Sequence, residues 1–99
     1  ETLTPTGLRY HAVYAHNDLP ALGVVRSLRA AGRKVPDDVA VVGFDDIPIA
    51  AHAELTTVRQ PMREMGEAAA RLLLARLEGA APASEPVVLP TAFVARRSG

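Results

Sequence analysis

The sequence predicts an α/β domain built on a parallel β-α-β sheet with flanking helices. Three observations carry that expectation. Val39 to Phe44 is apolar throughout apart from Gly43, is of strand length and shows no alternation. That is the pattern of a strand covered on both faces, as in a parallel sheet. An earlier run, Tyr10 to Ala15, also reads as a strand. Between the two, Leu22, Val25 and Leu28 repeat at helical spacing, with Ala21 and Val24 widening the stripe and Arg26 and Arg29 off it.

In chain order, Glu1 to Arg9 carries Thr, Pro and Gly with little periodicity and reads as a loop or linker. After the first strand, Asn17-Asp18 opens a helix. Asp18 is a good N-cap, and Pro20 is tolerated in the first turn, where its missing N–H has no intrahelical partner. Gly32 closes the helix, followed by basic Arg33 and Lys34. Pro36 disfavours helical backbone at Val35 and separates the helix from the second strand.

Pro48 to Ala53 is Ala-rich and short, enough for one or two helical turns. Leu55 to Val58 reads as a third strand, stopped at Pro61. Met62, Met65, Ala69, Leu72, Leu73 and Leu77 form the apolar stripe of the longest helix, Met62 to Leu77, and Gly79 stops it. Ala80 to Pro86 is a loop. Val87 to Leu89 and Ala92 to Ala95 flank Pro90 as a final extended segment, broken or at a sheet edge, and Arg96-Arg97 reads as its solvated end.

With 99 residues the chain forms one modest domain. Eleven basic and eleven acidic side chains balance, so no electrostatic footprint for DNA is visible. The absence of cysteine excludes disulfides and thiolate chemistry and fits a cytoplasmic setting. No apolar run approaches the roughly 20 residues needed to span a bilayer, so no membrane partner is expected. There is no Walker loop, Gly-rich dinucleotide turn or nucleophile elbow. His11, His16 and His52 lack metal-site spacing. An enzyme would have to work through Asp45 and Asp46 with a metal. The chain is expected to be no enzyme and to need no cofactor.

The β-α-β order points to a site. Ligands of open α/β sheets bind beyond the carboxyl ends of the strands. Asn17 and Asp45 each stand just past such an end, and Gln60 holds the analogous place after the third strand. A carboxylate accepts two hydroxyl hydrogen bonds, and an amide both donates and accepts. The competing roles are a turn or cap for Asp45, a cap for Asn17 and a backbone hydrogen bond for Gln60. His16 could reach the same place, although a lone His is more often structural. Asp46 fits a role in fixing the turn.

Ala15-His16-Asn17-Asp18, Val35-Pro36-Asp37-Asp38-Val39, Val42-Gly43-Phe44-Asp45-Asp46, Leu55 to Pro61, Gly66 and Val94 to Ser98 occur in this order and at family-like spacings. From about Ala12 to Ser98 the chain resembles the C-terminal part of the effector-binding core of bacterial LacI/GalR-type transcriptional regulators. The resemblance implies the C-terminal lobe of a periplasmic-binding-protein-like fold. It implies residues 1–60 in that lobe, 61–79 as a hinge crossing and a helix of the other lobe, and 80–99 as the return. The apolar stripe of Met62 to Leu77 would then lack its usual cover and either dock on the chain's own sheet or swap into another copy.

The family likeness implies a small-molecule effector, a sugar or related compound, and favours Asp45 as its contact; Asn17, Gln60 and His16 are further candidates from their chemistry and position. Met62 stands where some relatives place an aromatic that packs on a sugar ring; as a methionine it is expected to serve core packing instead. Leu22 and Arg26 are implied in a homodimer interface, against ordinary core and solvated-charge alternatives. Operator DNA would be bound only through a helix-turn-helix absent from these residues. A sugar-binding protein of a transport system is the alternative with the same architecture.

Overall fold

A computed structural model describes residues 2–3, 9–81 and 86–99. Its elements are β1 (Thr2–Leu3), β2 (Arg9–Tyr10), β3 (Ala12–Tyr14), α1 (Asp18–Ala30), β4 (Ala40–Val42), α2 (Pro48–His52), β5 (Thr57–Arg59), α3 (Met62–Leu77) and β6 (Ala92–Val94). The chain divides into two compact units, residues 1–59 with 92–99, and residues 60–91.

The first unit contains the expected β-α-β element. β3 and β4 are parallel, with Val13 opposite Val41, and α1 connects them. β5 continues on the other side of β4 through parallel bridges Val42 to Thr56 and Asp45 to Arg59. β6 then pairs antiparallel with β5, Arg59 opposite Ala92. Ser98 takes a ladder place of its own. The Val41 N–H donates to its carbonyl at 2.7 Å, and its hydroxyl donates to the Val41 carbonyl and accepts from the Thr56 N–H.

The core comprises Ala15, Ala21, Val25, Val41, Ala50 and Leu55, with Leu22, Val24, Leu28 and Val35 packed against it. Each fully buried Val or Leu contributes about 1.5–3 kcal/mol. This core lies between α1 and one face of the sheet. Val39 and Val41 are buried while Ala40 and Val42 are only half-buried, and Tyr14 is exposed. Expected burial of the strand on both faces is therefore corrected to one well-covered face.

The helices keep close to their sequence signals. Gly32 and Gly79 both have positive φ just past the last turns of α1 and α3, a conformation glycine adopts without steric cost. The strands depart further. Tyr10 to Ala15 breaks at His11 into β2 and β3, since Arg9–Tyr10 pairs with Thr2–Leu3. That pairing also replaces the expected loop at Thr2, Leu3 and Arg9, while residues 1 and 4–8 of that loop lie outside the described residues. Val87 to Leu89 forms no strand, having no ladder partner among the described residues. Residues 82–85 of the Ala80 to Pro86 loop also lie outside the described residues.

The second unit holds α3, in which no residue is buried. Met62, Met65, Leu72, Leu73, Leu74 and Leu77 are all exposed. One side of α3 and the Val87 to Leu89 segment line a hollow of about 420 Å³ that includes Gln60, Pro61, Met65 and Leu72.

Candidate functional site

The site forms where the first unit's parallel strands end. Beyond β4 the chain turns through Phe44, Asp45, Asp46 and Ile47. Asp45 has φ 112° and Asp46 φ 59°. Positive φ at two adjacent non-glycine residues is sterically costly and persists only where surroundings fix it. Three anchors do so. The Asp45 N–H donates to the Val58 carbonyl at 2.8 Å, the Asp18 N–H to the Phe44 carbonyl at 3.0 Å, and the Ile47 N–H to Asp18 Oδ2 at 2.8 Å.

Asn17 caps α1: its backbone is extended and its Oδ1 accepts from the Leu19 N–H at 3.1 Å. Asp18 was expected to be the cap and is instead the first helical residue, wholly buried. Its Oδ1 accepts from the Thr57 hydroxyl at 2.6 Å, while Oδ2 takes the Ile47 N–H. A buried carboxylate is tolerated when its lone pairs are filled in this way. Asn17 keeps its amide nitrogen for other partners, so capping and ligand contact are compatible for this side chain.

Asp46 does more than fix the turn. Its Oδ1 pairs with Arg96 at 2.7 Å and its Oδ2 with Arg59 at 2.8 Å. The Arg96 hydrogen bond, with Arg59 and both positive charges, holds the Asp46 carboxyl below its ordinary value, against an opposing push from burial. Arg96, expected to be solvated, is only 18% exposed and also donates to the Leu55 carbonyl at 3.0 Å. Arg97 is the solvated one, 3.8 Å from Glu54.

The chain brings Asn17 and the Asp45 turn together through Asp18 and Phe44. Asp45 is half-buried, and His16, next to Asn17, is exposed. Gln60 opens the second unit, where its carbonyl accepts from the Met62 N–H at 2.8 Å. Leu22 packs against the core, and Arg26, one turn on, is exposed. Sequence reasoning missed Asp18 as a buried anchor and Arg96 as an ion-pair partner. Asp18 stands 39 residues from Thr57, and no local pattern announces such a pair.

Among the described residues, no helix is long and apolar enough to cross a membrane. The whole chain, residues 1–99, matches the family model of the periplasmic binding protein-like domain. It is 49% identical over 90 residues to the HTH-type transcriptional regulator CelR of Thermobifida fusca, covering 89% of this chain and 26% of that protein. A solved CelR–cellobiose complex superposes with a TM-score of 0.84 at 48% identity, over 90% of this chain and 28% of that one. A LacI family regulator from Lactobacillus casei with bound sucrose superposes with a TM-score of 0.78 at 42% identity, over 90% of this chain and 33% of that one. The chain thus spans about a quarter to a third of the relatives it matches. It belongs to the periplasmic binding protein-like family and corresponds to part of the effector-binding region of LacI-type transcriptional regulators.

Proposed function

We propose that this chain supplies one wall of the sugar-binding site of a LacI-type regulator. Asp45 accepts hydrogen bonds from neighbouring hydroxyls, and Asn17 reads a hydroxyl as donor or acceptor. His16 and Gln60 are further contacts proposed from their places in the chain, beside Asn17 and just past the third strand. The observation that carries this reading is the paired placement of Asn17 and the Asp45 turn at the carboxyl ends of two parallel strands, tied through the Asp18 N–H to Phe44. The cellobiose and sucrose bound in the two similar structures give the ligand class its support.

In this proposal residues 1–60 belong to the carboxy-terminal lobe, 61–79 to the crossing and the other lobe, and 80–99 to the return. The parent protein acts as a cytoplasmic homodimer, with Leu22 and Arg26 at the interface, and grips operator DNA through a separate helix-turn-helix. Effector binding shifts the population of DNA-competent dimers.

Calorimetry of the full-length regulator against cellobiose, sucrose, ribose and nucleobases tests the site. Binding of one of the sugars is expected, and Asp45→Ala weakens it about tenfold or more, the worth of a charge-assisted hydrogen bond. Undiminished binding by Asp45→Ala, or no sugar bound by the wild type, would overturn the assignment.

A further inference from the structure

We propose that Asp18 is the positioning residue of this site: it brackets the turn that carries Asp45 and fixes that turn to Asn17. It is attached to the turn at both ends. Its own N–H donates to Phe44 at the start of the turn, and its carboxylate accepts from Ile47 at the end. The residues in between are Asp45 and Asp46, both at positive φ. Asn17 is its neighbour in the chain, so one residue sets the spacing between the two proposed ligand side chains.

A capping task alone does not explain Asp18, because Asn17 already performs it. Nor does simple core filling, since an apolar side chain avoids the desolvation cost of a carboxylate. The surroundings are fitted to the two side-chain oxygens. Thr57 is wholly buried and donates to Oδ1. Position 43 is glycine, and a Cβ there would strike Oδ1. Asp46 also steadies the turn, but through guanidinium groups that lie outside it. Asp18 holds the turn's own backbone at both ends.

The functional meaning of this assignment rests on the effector reading, while its geometry does not, and the test separates them. Amide hydrogen exchange of the isotopically labelled 99-residue chain is followed at Ile47, with Val25 and Val41 as core references. Asp18→Ala is expected to speed exchange at Ile47 about tenfold relative to the references, through loss of the hydrogen bond that holds this N–H. The backbone chemical shifts of Asp45 and Asp46 are expected to lose their positive-φ signature. Asp18→Asn, which keeps an oxygen acceptor, restores both. Thr57→Val, a milder change that stands in if Asp18→Ala does not fold, moves Ile47 in the same direction by less.

Ile47 protection that stays unchanged, or that falls only in step with Val25 and Val41 in each folded variant, would overturn the positioning role. Calorimetry of the full-length regulator with cellobiose and sucrose reads the other half. Asp45→Asn is expected to lose sugar while keeping Ile47 protected. If no sugar binds, the effector reading fails and the exchange result still decides the role of Asp18.

Discussion

Asp46 holds two guanidinium groups that differ in exposure, and the difference sets their worth. Arg96 is 18% exposed and Arg59 57% exposed. A hydrogen-bonded charge pair shielded from water is worth about 1.5–3 kcal/mol, whereas an exposed pair is worth about 0–1 kcal/mol. Arg96→Ala is therefore expected to cost about 2 kcal/mol in urea unfolding, and Arg59→Ala less than about 1 kcal/mol. Equal losses would contradict this ranking. The pH dependence follows from the direction of the shift. The folded chain, mainly through Arg96, holds the Asp46 carboxyl below its ordinary value. The pair's stabilisation is thus present above the unfolded carboxylate range and is lost as pH falls through the folded value. The stability deficit of Asp46→Asn should be full at pH 7 and shrink in strong acid.

These pairings were hidden in the sequence. Asp18 and Asn17 are both good capping residues, and only burial against Thr57 and Ile47 decides between them. Arg96 and Arg97 are adjacent and chemically alike. Their fates diverge because Arg96 meets Asp46, 50 residues earlier.

At the scale of elements, the helices were the most legible. Pro61 and Gly79 bracket α3, and the structure begins it at Met62 and ends it at Leu77. Strands were less so, because a strand exists only where a partner pairs with it. Val87 to Leu89 had the composition of a strand but pairs with no strand among the described residues. The join between β4 and α1 gives a further test. A methyl at Gly43 would meet Asp18 Oδ1, and would lie 3.0 Å from Leu55 Cδ2 and 3.2 Å from Asp18 Cα. Overpacking of this kind costs about 1–3 kcal/mol. Gly43→Ala should therefore lower the thermal midpoint, whereas Gly23→Ala, in open space within α1, should leave it unchanged or raise it. The reverse order would show that the close approach of α1 to β4 is misplaced.

At the scale of the molecule, α3 exposes Leu72, Leu73, Leu74 and Leu77 together. A contiguous apolar surface of this kind drives association in water. The 99-residue chain is expected to self-associate with rising concentration in sedimentation velocity. Leu73→Glu with Leu77→Glu should reduce that association without lowering the unfolding midpoint of the first unit. A wild-type chain that stays a monodisperse monomer across the concentration range, with α3 mobile, would count against both docking and swapping of α3. The sequence stripe revealed this surface, but its cover was not legible, because an apolar face records only that a partner is needed.

The ladder of β5 and β6 carries one more consequence. Arg59 and Ala92 face each other across it, although 32 residues, Gln60 to Thr91, lie between them in the chain. The second unit is therefore an excursion that leaves and re-enters through a single doorway. A two-residue Asn-Gly turn has the backbone twist to join such neighbouring antiparallel ends. Removing the excursion and closing the doorway would turn β5 and β6 into a hairpin while leaving Asn17, Asp18, Asp45 and Asp46 on an unbroken scaffold.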